Sequence, residues 1–155
     1  MTIWVDEQAH ATILREAPQR RFLETGGALF GYQGDGDVVV IRAFGPGNRA
    51  KHRPHSFVPD RQTTAALIAA VWEYSAKRYR FLGSWHTHPH GQAVPSRTDS
   101  RTAADMARQE DLRLPAPLVA IQATHGLLDV ELGEFRVWQW DAAIEQLSDQ
   151  HVRYF

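Results

Sequence analysis

Three side chains able to share one metal ion stand close together in the chain: His86, His88 and Asp99. His86 and His88 are at i and i+2 at the end of the run Arg80 to His86, whose Phe81, Leu82 and Trp85 predict a strand, so both imidazoles project from one face. Ser96 is the expected N-cap of a helix from about Arg97 to Gln109. Asp99 falls in the first turn of that helix, where a tight proline-containing loop can return its carboxylate to the imidazoles. Two imidazoles and one carboxylate leave the fourth position of a tetrahedral zinc open, the pattern of a catalytic site, and zinc there can bring the pKa of bound water from about 15.7 to about 7. Each residue alone has a plainer reading. A His-x-His pair is common in strands and loops, and Ser96-x-x-Asp99 is a capping pattern that needs no metal. The joint occurrence favours the metal.

Composition narrows the chemistry. The chain of 155 residues has no cysteine, so any metal must be held by His, Asp and Glu, and its eight histidines become the residues to place. Hydrophobic residues at 43% and charged residues at 23% exclude disorder and coiled coil and indicate a soluble globular protein. The mass of 17.6 kDa predicts one domain, residues 1–155, with roughly 7,900 Å² of surface when folded. Seventeen basic against eighteen acidic side chains give a net charge of −1, which provides no general attraction to nucleic acid or to an anionic membrane. Asp6 and Glu7 stand where a signal peptide would be basic, and the longest apolar stretch, Ala65 to Trp72, is far below a membrane span, so the expected location is cytoplasmic.

The elements that must position these residues follow from periodicity. A helix is expected from Asp6 towards Leu23, with Ala9, Ile13, Leu14 and Ala17 on one side, and Pro18 ends or kinks it. Gly26 and Gly27 lead into a short buried strand, a turn at 34–37 makes a hairpin, and Val38 to Phe44 is the returning strand. Residues 45–59, with three prolines and two glycines, read as a loop. Asp60 caps a helix to about Tyr79 whose inward candidates include Ala66, Ile68, Ala69, Trp72 and Ser75. Leu118 to Ala123 and Leu127 to Leu132 suggest a hairpin, Glu134 to Trp140 a further strand, and Asp141 the cap of a short terminal helix. Strands and helices interleave without a βαβ repeat, which predicts an α/β (α+β) domain with a mixed sheet flanked by helices.

The run His86-x-His88-Pro89, six residues, then Ser96-x-x-Asp99 resembles the JAMM signature of the MPN+/JAB metalloproteases. The acidic companion that this family carries upstream is matched by Glu24 in Glu24-Thr25-Gly26-Gly27-Ala28-Leu29-Phe30-Gly31. Roughly residues 5–135 follow the family's order of elements. The resemblance implies a cytidine-deaminase-like fold and a Zn²⁺ ion held by His86, His88 and Asp99. It implies Glu24 as the general base that relays a proton to the leaving amine, and Ser96 as an oxyanion donor whose loss can cost about 10²–10³ in rate. Gly26 and Gly27 would keep the backbone clear beside the site. Without the downstream motif, Glu24 would read as a solvated carboxylate near a helix end. The implied reaction is hydrolysis of a peptide or isopeptide bond after the C-terminal tail of a ubiquitin-like or similarly conjugated protein. The wording around Glu24 and His86 is similar to stand-alone bacterial JAB deconjugases encoded with E1- and E2-like proteins in antiphage operons of CBASS-type or bacterial ubiquitin-like organisation. No nucleic acid or membrane partner is expected.

A maturation protease would trim a ubiquitin-like or sulfur-carrier precursor, and a non-enzymatic MPN-like scaffold would use the same fold without metal. A His-x-His-x-His nucleotide hydrolase fits Thr87 and Pro89 badly, and a metal-dependent barrel typically needs about 250 residues. The basic loop, with Arg49, Lys51, His52, Arg53 and His55, reads as a solvated segment in preference to a nucleic-acid or phosphate site. His90 reads as an exposed loop residue, and Trp138 and Trp140 as core.

Overall fold

A computed structural model describes all 155 residues, Met1–Phe155. Its elements are β1 (Thr2–Val5), α1 (Glu7–Glu16), β2 (Gly26–Gly34), β3 (Asp37–Ala43), β4 (Lys51–Arg53), β5 (Ser56–Val58), α2 (Arg61–Tyr74), β6 (Arg80–Pro89), α3 (Arg97–Arg108), β7 (Leu118–His125), β8 (Glu131–Asp141) and β9 (Gln146–Tyr154). The sheet order is β1-β3-β2-β6-β7-β8-β9, and a parallel pairing of β1 with β9 closes it into a barrel, while β4 and β5 form a separate two-stranded sheet. This is the expected mixed sheet with flanking helices, curled until its edges meet.

Alternation along the strands sorts the core. Leu29, Trp85, Leu118, Ala120 and Val137 join Ile3, Val5, Val38 and Val40 against Ala9 and Ile13 of α1. The opposite face carries Val119, Ile121 and Ala123 against Ala103 and Ala104 of α3, and Phe30 and Phe81 against Val71 of α2. The sheet thus wraps around α1 and presents its other face to α2 and α3. Because His86 pairs with Ile121 and His88 with Ala123, the two imidazoles fall on the α3 side.

The helix starts are those the caps predict. The Asp6 carboxylate accepts from the Gln8 and Ala9 amides, Asp60 accepts from the Thr63 amide, and Ser96 with Asp99 forms a reciprocal capping box. A 3-10 turn at Ala17–Gln19 follows α1, as Pro18 requires. Positive φ at Asp35 and Gly36 makes the β2–β3 turn.

Several expectations are corrected. No helix follows Asp141: its carboxylate accepts from the Ala143 amide in a tight turn, and Gln146–Tyr154 is β9, whose pairing satisfies the edges of both β8 and β1. The strands expected at Leu127–Leu132 and Glu134–Trp140 are one strand, β8, with Leu127 and Leu128 exposed in the connection before it. Residues 45–59 include β4 and β5. Helix α2 ends at Tyr74, since Ala76 and Lys77 take positive φ. Its inward residues are Val71, Leu67 and Ile68, while Ala66 and Ala69 face solvent. The sequence reading also passed over β1. The accessible surface, 9051 Å², exceeds the roughly 7,900 Å² expected for the mass, and Tyr74, Leu127 and Leu128 are among the apolar side chains that add to it. No helix is long and apolar enough to cross a membrane.

Candidate metal centre

Glu24 is buried immediately before β2, and its backbone is held from two directions. The small β4–β5 sheet holds its peptide groups: the Glu24 amide donates to the Arg53 carbonyl at 2.8 Å, and the His52 imidazole donates from Nδ1 to the Glu24 carbonyl at 3.0 Å. Thr25 is in turn locked to β6, its amide donating to the Thr87 hydroxyl at 3.0 Å and its carbonyl accepting from the Thr87 amide at 2.8 Å. At Gly26 a Cβ would lie 2.2 Å from the Trp85 carbonyl oxygen and 2.9 Å from the Phe57 ring, so glycine is what lets β5 lie over β2 here. The expected role of Gly26 and Gly27 in keeping the backbone clear is therefore a matter of strand and hairpin packing. This clamp places a Glu24 carboxylate oxygen and the His86 and His88 ring nitrogens all within 4.8 Å of one another.

The other side of the site comes from β6, α3 and the loop between them. The Asp99 carboxylate meets His86 Nε2 at 3.1 Å through one oxygen and His88 Nε2 at 3.3 Å through the other, while the two Nε2 atoms are 3.0 Å apart. His88 Nδ1 donates to the Gln92 carbonyl at 2.8 Å, which leaves its Nε2 lone pair facing the cluster. Ligand atoms around a tetrahedral metal with bonds of about 2.0–2.2 Å are about 3.3–3.6 Å apart. The 3.3 Å separation falls at the lower end of that range and the 3.0 and 3.1 Å separations slightly below it, and two ring nitrogens this close to each other and to a carboxylate are best satisfied by a shared cation. The donor set is nitrogen and oxygen only, as the absence of cysteine requires.

The electrostatics of the two carboxylates differ. Burial alone would raise Asp99, but hydrogen bonds from His86 and His88 overturn that and hold it far below the usual carboxylate range. Burial raises Glu24, and the nearby His86 and His88 only partly oppose the rise. One carboxylate is thus a firm anion and the other a better proton acceptor than an exposed glutamate. For His88, burial pulls down while Asp99 and the Gln92 carbonyl push up, with a net rise.

Glu24, His86, His88 and Asp99 come together, and Ser96 is tied to them through Asp99. Ser96 caps α3 from an exposed position, its hydroxyl oxygen accepting from the Asp99 amide at 3.1 Å, so the hydroxyl hydrogen remains free to donate elsewhere. Asp99 returns the contact by accepting from the Ser96 amide at 2.7 Å, and the capping reading and the metal reading of this pair hold together. His90 is exposed, as expected, and stacks on Phe22. His52 is the residue that sequence reasoning set aside. Its position four residues after Asn48 in a proline-rich segment carries no local sign of a contact with Glu24, and only the β4–β5 hairpin creates one.

With this geometry in place, the chain belongs to the prokaryotic homologues of the JAB domain, whose family model matches residues 6–141. It is also similar to the protein named "Probable metalloprotease y4qB" of Sinorhizobium fredii, 34% identical over 121 residues that cover 77% of this chain and 74% of that one. Among solved structures it is similar in fold to protein DSY2949 of Desulfitobacterium hafniense, with a TM-score of 0.69 and 18% identity over 99% of this chain and 92% of that chain.

Proposed function

We propose that this protein is a zinc metallopeptidase that cuts the bond after the C-terminus of a ubiquitin-like or similarly conjugated protein. The family and the Sinorhizobium relative support the coarser reading of a metalloprotease. The observation that carries it is the triangle of His86, His88 and Asp99 with the Glu24 carboxylate beside it. His86, His88 and Asp99 would hold the ion, and zinc bound there would supply Lewis acidity. Glu24 takes the proton of the attacking water and returns it to the leaving amine, a task suited to a carboxyl raised by burial. The free hydroxyl hydrogen of Ser96 donates to the developing oxyanion. The barrel has no unpaired strand edge, so an extended tail that binds as a strand uses the β4–β5 sheet, which is already bonded to Glu24. On this reading the substrate is a conjugate made by E1- and E2-like proteins of an antiphage operon in the cytoplasm, with neither nucleic acid nor membrane as partner.

The test is cleavage of lysine-linked and linear fusions of a ubiquitin-like protein encoded beside this chain, by wild type and by Glu24→Ala. Wild type is expected to cut the lysine-linked fusion, and Glu24→Ala to lose cleavage while keeping its metal. Retained cleavage in Glu24→Ala removes the base. Failure to cut either fusion by metal-loaded wild type leaves the scaffold reading.

A further inference from the structure

Two segments meet at the Glu24 backbone, residues 17–23 that lead into it and the stretch 44–59 that contains β4 and β5. Neither contains an Asp or Glu, yet between them they hold Arg20, Arg21, Arg49, Lys51 and Arg53, five of the seventeen basic side chains in a chain of net charge −1. Arg21 and Arg49 are engaged: the first donates to the Leu127 and Leu128 carbonyls and the second to Gln62. Arg20, Lys51 and Arg53 are exposed and take part in none of the ion pairs of the fold. Glu16, whose carboxyl lies against Gly45, pairs with none of them. The main chain of one of them is fixed by the same bond that holds Glu24, since the Arg53 carbonyl accepts from the Glu24 amide. His55, at the tip of the hairpin, is close enough to Glu24 to influence its charge.

We propose that this basic rim is a specificity surface, and that the polypeptide entering the site is acidic: carboxylates flanking the scissile bond engage Arg20, Lys51 and Arg53. The proposal rests on the peptidase reading and names the charge of its substrate. Cations outside any ion pair, on segments bonded to Glu24, act on the charge of a bound substrate over a screening length of about 8 Å at physiological ionic strength. They attract a tail or protein surface rich in Asp and Glu, and a tail rich in Lys or Arg is rejected by like-charge repulsion. Nucleic acid is the less favoured anion, because three free cations around a cleft do not make the extended basic face that tracks a phosphate backbone, and the chain's pI is near 6.7.

The experiment compares fluorescent peptides of one length that share a central Gly-Gly and carry Glu, Gln or Lys at the flanking positions. Binding to purified protein in zinc-containing buffer is read by anisotropy, and cleavage is read in the same samples. Exposed ion pairs are individually weak and three act together, so the Glu peptide is expected to bind about tenfold more tightly than the Gln peptide and the Lys peptide more weakly than either. Lys51→Glu with Arg53→Glu abolishes or inverts that order. Lys77→Glu with Arg80→Glu, the same charge change at the far end of β6, leaves it intact, and high salt erases it. All four side chains are exposed, and thermal melts confirm that both variants fold. Equal affinity for the Glu and Gln peptides, equal loss in both variants, or tighter binding of a labelled single-stranded oligonucleotide overturns the proposal. Preferential binding of the Glu peptide without cleavage of any peptide or fusion overturns the peptidase reading and leaves the acidic docking surface standing.

Discussion

Replacing Asp99 by asparagine asks whether the ion sits among His86, His88 and Asp99 or among Glu24, His86 and His88, both of which the geometry brings together. A domain of 155 residues has an unfolding entropy of about 0.33 kcal/mol per degree at its midpoint. Zinc at a hundred times its Kd adds about 2.7 kcal/mol, so wild type should melt about 8 °C higher than the chelator-treated protein. In Asp99→Asn the new side-chain carbonyl still accepts from the Ser96 amide and keeps the cap, but it is a poor ligand. Loss of a supporting partner weakens metal binding about 10–100-fold, and loss of a ligand reaches at least the upper figure. At the same zinc concentration the site is then half filled, and the stabilisation falls to about 0.4 kcal/mol, a shift of about 1 °C. Without metal, Asp99→Asn costs the charge at the helix start, about 0.3–1 kcal/mol, and in addition weakens the contacts of that carboxylate with His86 and His88, so each variant's zinc shift is read against its own metal-free melt. Glu24→Gln should keep the full shift, because Glu24 serves as base. Calorimetry with and without zinc, together with elemental analysis of each protein, reads all three. A full shift in Asp99→Asn with a lost shift in Glu24→Gln would refute the assignment and move the ion to the Glu24 side. No shift in wild type would refute the site.

Two further predictions concern the frame around it. A Cβ on Gly27 would lie 1.8 Å from the Phe44 carbonyl oxygen, which is backbone and must move, so Gly27→Ala should cost about 3 kcal/mol or more and lower the melting temperature by about 9 °C. Gly34→Ala, with open space around the new methyl, is the control and should be near neutral in the same melts. His10 packs between Phe135 and Tyr154, its Nε2 is buried without a partner, and burial lowers its pKa. The unfolded chain therefore takes up a proton at His10 before the folded one does, and the wild type should lose stability as pH falls below the ordinary imidazole value of about 6.5. In His10→Leu that part of the pH dependence should vanish. Superimposable profiles in urea titrations of the two proteins would remove His10 from the account.

What was legible in the sequence is what local chemistry determines. Asp6, Asp60 and Ser96 mark helix starts because a side-chain oxygen two or three residues before an unbonded amide captures it. His86 and His88 share a face because strands have period two. The same kind of signal misleads at Asp141, which bonds the Ala143 amide much as Asp6 bonds that of Gln8. Whether a helix or a strand follows is decided by β1, which needs a partner and lies at the other end of the chain. In α2 the inward assignment holds for Ile68 and Ser75 and fails for Ala66 and Ala69, because Ala65 to Val71 is apolar all round and periodicity alone selects no face. The contact of His52 with Glu24 depends on a hairpin of two three-residue strands, too short to leave a pattern.

The closure of the barrel has a consequence for synthesis. Ile3 pairs with Val152, so the first strand to leave the ribosome waits for nearly the whole chain before its neighbour exists. At about 5–20 residues per second that wait is about 7–30 s. Throughout it, the outer edge of β1 and, once made, that of β8 are unpaired templates that any other extended chain can use. The interval in which this protein is vulnerable to mispairing is thus fixed by the order of its strands and the speed of translation, and slowing synthesis over β9 should raise aggregation without changing the stability of the finished fold.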